Sequence, residues 1–302
     1  MTRILQKIER KREVEGFMGE IVQISVIMGV YNPKDPERFF RAVRSIVSQT
    51  FSDWELILYD DGSEEPYRQT IRQAADMDKR IVLIRGEKNR GLAYGLNQCL
   101  RRAVGRYIAR MDDDDVARED RLEKQLRFLE LHPGYQWVGS NVELIDRRGV
   151  WGCRKVPAVP GKRDFLSTSP YIHPTVLFHK RVLQENGGYN TAKEYLLCED
   201  YELFMRLHKR GYQGYNIQDT LLQYTEDYKA HKKRTYRRRI REMKMRYQGF
   251  RRLGILNGGT FHHVLRPLLA GAIPAGPRHY IKKRMKGWKG WEKREKTSTE
   301  NI

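Results

Sequence analysis

The chain has 302 residues, 39% of them hydrophobic and 32% charged, which suits a soluble globular protein with a polar extension. Its net charge of +20 is uneven: residues 229–302 hold 22 Lys and Arg against 4 Asp and Glu, and the remaining 228 residues hold 36 against 34. Cys99, Cys153 and Cys198 stand far apart without a Cys-x-x-Cys pair, which argues against a zinc site or a disulfide framework and favours a reducing cytosol. No run approaches the roughly 20 apolar residues of a membrane span, and the first twenty residues lack the apolar core of a signal peptide.

Residues 1–21 read as a short polar helix. Residues 24–30 form a buried-strand pattern that ends at Asn32-Pro33. Phe39, Phe40, Val43, Ile46 and Val47 recur at helical spacing. Residues 54–59 predict a second strand, running into the turn Asp60-Asp61-Gly62-Ser63, and residues 81–84 a third. Leu92, Leu96 and Leu100 mark a helix after Asn89-Arg90-Gly91. Residues 107–111 predict a fourth strand, and Leu122, Gln125, Leu126 and Leu129 a further helix. Residues 137–145 read as a strand, 150–170 as irregular, 195–210 as helix and 217–224 as a last strand. This alternation implies an α/β fold with a doubly wound, mostly parallel, Rossmann-like sheet over residues 22–228. Ligands of such sheets sit at the carboxyl ends of the strands, where Tyr31, Asp60, Asp61 and residues 112–115 fall.

The run Asp112-Asp113-Asp114-Asp115 carries most of the chemistry. Like charges at this spacing repel unless a cation or donors neutralise them. At the end of a buried strand this points to a divalent metal with oxygen ligands, Mg2+ or Mn2+, which keeps open positions for substrate phosphates. The first strand runs into Met28-Gly29-Val30-Tyr31-Asn32-Pro33, without the glycine pattern of an NAD-binding or P-loop phosphate cradle. Acidic strand ends favour a nucleotide whose phosphates are held through a metal.

Five segments in order, residues 24–32, 54–63, 89–97, 106–122 and 199–207, resemble family 2 glycosyltransferases with the GT-A fold. The resemblance covers roughly residues 22–225 and is finest to bacterial enzymes that build capsular, O-antigen or exopolysaccharide chains. It implies an inverting, metal-dependent transfer of a sugar from a nucleoside diphosphate sugar, with UDP expected, to a hydroxyl of a lipid-linked or polysaccharide acceptor. Tyr31, Asp60 and Asp61 would then sit at the base and ribose, with Arg90 at the base or a phosphate. The family's Asp-x-Asp falls on Asp112 and Asp114. Asp114 is the expected direct metal ligand, and Asp112 or Asp113 would bind the ribose or a metal-bound water. Glu199-Asp200 matches the family's Glu-Asp pair, with Asp200 as general base. His173 and Glu199 would lie near the acceptor or diphosphate. Where the family commonly has Pro-Asp-Arg this chain has Glu119-Asp120-Arg121, and Tyr224-Thr225-Glu226-Asp227-Tyr228 replaces a late histidine.

The basic extension, residues 229–302, reads as amphipathic. Tyr236, Ile240, Met243 and Tyr247 share one helical face, and Phe261, Val264, Leu265, Leu268, Leu269 and Ile273 another, with Pro267 and Pro274 expected to kink or end the helix. Trp288 and Trp291 among Lys282, Lys283, Arg284, Lys286 and Lys289 suit an anionic bilayer surface. The expected location is therefore cytoplasmic, peripheral at the inner face of the membrane. The rival reading is a nucleic-acid or anionic-membrane binding protein acting through this extension, but it has no recognisable nucleic-acid-binding motif and no specific nucleic acid is expected.

Overall fold

The computed structural model describes residues 22–226 and 235–272. Strands and helices alternate through its first half: β1 (Ile24–Val30), α1 (Pro36–Val47), β2 (Trp54–Asp60), α2 (Tyr67–Ala75), β3 (Ile81–Arg85), α3 (Leu92–Arg102) and β4 (Tyr107–Arg110). Then follow β5 (Val116–Ala117), α4 (Arg121–Leu131), β6 (Trp137–Asp146), β7 (Gly149–Arg154), β8 (Leu177–His179), α5 (Lys180–Glu185), α6 (Glu199–Lys209), β9 (Gly214–Thr225), α7 (Tyr236–Leu253) and α8 (Phe261–Ala272). The expected helix over residues 1–21 and the Trp-Lys segment from Lys282 to Trp291 lie outside the described residues.

One nine-stranded sheet runs β3-β2-β1-β4-β8-β6-β9-β5, with β7 paired to β6. The strands β3, β2, β1 and β4 are parallel, as the alternating pattern predicts. The short β8 is antiparallel to both β4 and β6, while β6 and β9 are parallel. The chain order reverses between β1 and β4, so a crevice opens there at the carboxyl ends.

Successive side chains of β1 and β2 point to opposite faces, and both faces are covered. Val26, Met28, Leu56 and Leu58 pack against Phe39, Val43 and Ile46 of α1 and Ile71 of α2. On the other face Ile27, Ile57 and Tyr59 share a core with Leu96 and Cys99 of α3 and Leu203 and Phe204 of α6. Each such buried aliphatic or phenyl side chain contributes roughly 1.5–3 kcal/mol. The helix α1 starts where Asp35 accepts a hydrogen bond from the Arg38 amide at 3.2 Å, with Pro36 in the first turn.

Four local expectations change. Within 150–170, read as irregular, residues 149–154 form β7, a hairpin partner of β6. Cross-strand hydrogen bonds supply the order that a segment with Gly149 and Gly152 lacks by itself. The helix expected from residue 195 begins at Glu199, because Leu197 takes a left-handed backbone (φ +67°) and breaks the turn. Pro267 neither ends nor interrupts α8, and the Arg239 guanidinium donates to its carbonyl at 2.9 Å. The packed face of α7 is Met245, Gly249, Phe250 and Leu253, whereas Tyr236 and Tyr247 are exposed. Gly249 sets this choice, since a Cβ there would lie 2.4 Å from Met205 of α6.

The turn after β2 has a stricter requirement. Gly62 has φ +75°, and a Cβ would lie 2.5 Å from the backbone of Lys88. A glycine at this position therefore lets the Asp60-Asp61 strand end dock on the loop before α3. Gly62→Ala should lower stability by roughly 2–4 kcal/mol in urea unfolding; an unchanged midpoint would contradict this close approach.

Candidate active site

Three strand ends meet at the crevice. The β2 end is held from within: the Asp60 carboxylate accepts from the Ser63 amide at 2.8 Å, and both Asp61 oxygens accept from the amides of Arg90 and Gly91, at 2.9 and 2.8 Å. Burial raises the Asp61 carboxyl from its ordinary value, against the pull of those two amides. Asp61 thus pins the loop that starts α3. Tyr31 follows β1 and is exposed. The Arg90 guanidinium lies 3.9 Å over the Tyr94 ring and donates to its hydroxyl at 2.9 Å. Tyr31 and Arg90 thus stand at the rim next to β1 and β2, with Asp60 and Asp61 buried beneath it.

The β4 end carries the carboxylates. One carboxylate oxygen from each of Asp112, Asp114 and Asp115 falls within 4.8 Å of the others. Asp115 is fully buried: one oxygen accepts from the Thr225 amide at 2.8 Å and the other has no hydrogen-bond partner. Burial, then the charges of Asp112 and Asp114, hold the Asp115 carboxyl well above the usual range. Thr225 also donates through its hydroxyl to the Asp114 carbonyl, so the end of β9 straps the aspartate turn. Asp113 stands outside the trio. Burial and the charges of Asp114 and Asp112 push its carboxyl up to about 8.

A crowded all-oxygen donor set with an orphaned buried carboxylate oxygen fits a hard divalent cation. Asp112, Asp114 and Asp115 would hold it. Nothing in the sequence distinguishes Asp115 from its neighbours as a ligand; its convergence with Asp112 and Asp114 appears only in the fold.

Arginines flank the cluster. Arg110, the last residue of β4, is 1% exposed, and its Nη1 lies 2.5 Å from Asp112 Oδ1. Beneath the turn, the buried Arg121 donates to the Arg110 carbonyl at 2.8 Å and to Gln125 Oε1 at 3.0 Å. Burial lowers the Arg121 guanidinium to about 9, and it remains charged at neutral pH.

A cleft of about 300 Å3 joins this cluster to α6. Arg110, Asp112, His173, Glu199 and Asp200 all line it, so four of the predicted site residues converge there. Burial raises the Asp200 carboxyl, while the Tyr201 amide, Arg154 and Arg110 pull it back. Burial and the Asp200 charge raise Glu199 to about 7. His173 shares a 2.9 Å hydrogen bond between Nε2 and the Tyr189 hydroxyl, and burial holds it well below its usual value, hence neutral. Asp113, Asp114, Tyr31, Asp60, Asp61 and Arg90 are not in the cleft wall. A larger shallow depression at the β5–β9 edge, about 570 Å3, contains none of the predicted residues.

Sequence reasoning missed Arg154 and the contribution of α7, whose Arg238, Glu242 and Arg246 also line the cleft. Their spacing of four places them on one helical face, and Glu242 is the single acid of α7. Arg246, 4% exposed, pairs with Glu242 and donates to the Leu166 and Ser167 carbonyls, tying α7 to the loop that forms the cleft wall.

The family model for glycosyl transferase family 2 matches residues 25–186. EpsE of Bacillus subtilis (strain 168), named as a glycosyltransferase, is 37% identical over 265 residues, covering 87% of this chain and 94% of EpsE. The Escherichia coli UDP-Gal:alpha-D-GlcNAc-diphosphoundecaprenol beta-1,3-galactosyltransferase is 29% identical over 272 residues, covering 87% of this chain and 96% of that protein. Mannosyltransferase PcManGT from Pyrobaculum calidifontis, solved with GDP-Man and Mn2+, superposes with a TM-score of 0.56 at 19% identity, over 89% of this chain and 82% of that one. That structural likeness concerns the fold, which is GT-A.

The raised Glu199 carboxyl has a consequence for stability. The native state holds this proton more tightly than the unfolded chain, so its stabilising effect is full below about 4.5 and is lost as pH rises through about 7. Glu199→Gln should match wild type in urea unfolding at pH 5 and exceed it by roughly 1–3 kcal/mol at pH 8. Equal stability of the two proteins at pH 8 would contradict the burial of an ionised Glu199.

Proposed function

The chain belongs to glycosyl transferase family 2, and on that premise we propose that it is an inverting transferase using a nucleoside diphosphate sugar, UDP-linked, and a divalent metal. The observation that carries the reading is the shared cleft. Asp112 of the carboxylate trio and the Glu199-Asp200 pair line one cavity, which suits a donor diphosphate at one end and an acceptor hydroxyl at the other.

Asp200 accepts the proton of the acceptor hydroxyl as that oxygen attacks the anomeric carbon. The bond from the anomeric carbon to the diphosphate breaks on the opposite face, and the configuration inverts. Asp112, Asp114 and Asp115 would hold the metal, which when bound would supply charge stabilisation to the leaving diphosphate. Tyr31, Asp60, Asp61 and Arg90 receive the nucleoside along the rim, with Asp61 acting through the loop it pins. Asp112 or Asp113 would bind the ribose. His173, neutral and fixed by Tyr189, offers a hydrogen bond rather than a charge to the acceptor or diphosphate.

The acceptor in this proposal is a lipid-linked glycan at the inner membrane face, within cell-surface polysaccharide synthesis. Support comes from the 22 basic residues in 229–302. Further support is the Escherichia coli relative, whose name gives a diphosphoundecaprenol acceptor. Among the described residues no helix is long and apolar enough to cross a membrane, so contact would be through the surface.

Thermal melts with UDP or GDP, each with Mn2+ or with EDTA, test the donor and metal. UDP with Mn2+ should raise the melting temperature of the wild type and of Asp200→Asn but not of Asp114→Asn. Both variants should lose at least about a hundredfold in sugar transfer while circular dichroism stays unchanged. Stabilisation by GDP alone would overturn the UDP assignment, and full transfer by either variant would remove the role given to that residue.

A further inference from the structure

Arg110 is a cation on a strand whose other residues are Tyr107, Ile108 and Ala109. It pairs in register with Ile27 of β1, and its amide donates to the Val176 carbonyl at 2.9 Å. Nothing in its strand position requires a charge. The side chain is about 2% exposed and reaches Asp112 at 2.5 Å. Its Nε has no hydrogen-bond partner.

Arg121, equally buried, shows what a structural arginine does here. It spends Nε, Nη1 and Nη2 on Gln125, the Met111 sulfur and the Arg110 carbonyl. Arg110 leaves a buried donor unsatisfied, a costly arrangement unless the charge itself is what the site uses. That charge acts on Asp115, Glu199 and Asp200 as well as on Asp112.

A divalent ion on the carboxylate trio must share Asp112 with this guanidinium. Two cations a few ångströms apart repel, and the burial of the Arg110 guanidinium weakens the screening by water. A diphosphate beside them offsets that repulsion, because it brings negative charge to the open side of the metal. We propose that Arg110 is the resident counter-ion of the carboxylate trio, a positioning residue that makes divalent-metal binding depend on the donor's diphosphate. This rests on the nucleotide-sugar reading above. The coupling is reciprocal, so bare nucleotide without metal binds weakly for the same reason.

The test is a Mn2+ titration of the full chain, with free Mn2+ read by electron paramagnetic resonance, with and without UDP. For wild type, UDP should tighten Mn2+ at least tenfold. Arg110→Met should bind Mn2+ alone at least tenfold tighter than wild type, and the effect of UDP should shrink. Arg110→Lys, which keeps the charge, should behave as wild type. A folded Arg110→Met with wild-type or weaker Mn2+ affinity overturns the proposal while leaving the nucleotide-sugar reading intact. Equal Mn2+ affinity of wild type with and without UDP overturns it without any variant. If wild type binds no Mn2+ even with UDP, the metal-dependent reading fails and the proposal fails with it.

Discussion

Four consecutive carboxylates stand at the end of the central strand of this fold, and most of what surrounds them serves to hold that charge in place. Arg110 faces Asp112 from within β4, and Arg121 grips the Arg110 carbonyl from α4. Thr225 reaches across from β9 to Asp114 and Asp115. Without these partners the like charges would push the turn apart, since repulsion at such distances is large away from water. With them, three carboxylates converge tightly enough to suit a divalent cation.

The cleft is a composite of distant segments. Its acidic end comes from β4, its basic-residue wall from Arg154 of β7, and its Glu-Asp pair from the start of α6. The antiparallel β8 makes this possible, because it fills the gap between β4 and β6 and brings the 171–174 segment with His173 beside the aspartates. Closure from above depends on α7. Gly249 lets it approach Met205, and buried Arg246 ties it to the loop at Leu166 and Ser167. The first helix of the basic extension therefore takes part in the site as well as carrying charge.

The parallel half of the sheet was legible from residue pattern alone. The strands β1, β2, β3 and β4, and helices α1, α3 and α4, appear where apolar periodicity and turn residues predict them. Local signals suffice there because each element buries one or both faces through short-range alternation. Helices α2 and α5 were not read from the pattern, and the missed strands have the opposite character. Two-residue β5, three-residue β8 and the glycine-containing β7 gain their order from cross-strand partners far away in sequence. Leu197, left-handed before α6, takes a conformation that a leucine disfavours locally, so no residue pattern announces it.

The sequence by itself determined which chemistry is present: a carboxylate run at a strand end, an Asp-Asp-Gly-Ser turn, a Glu-Asp pair at a helix start and a basic extension. These are covalent facts, and their spacing already implied a metal and a nucleotide. Only the tertiary structure decided which of them meet. It drew Asp115 rather than Asp113 into the trio, turned Asp61 toward the amides of Arg90 and Gly91, and brought Arg154 and one face of α7 to Asp200. Side-chain convergence depends on burial and long-range pairing, and neither is encoded in the residues within a few positions along the chain.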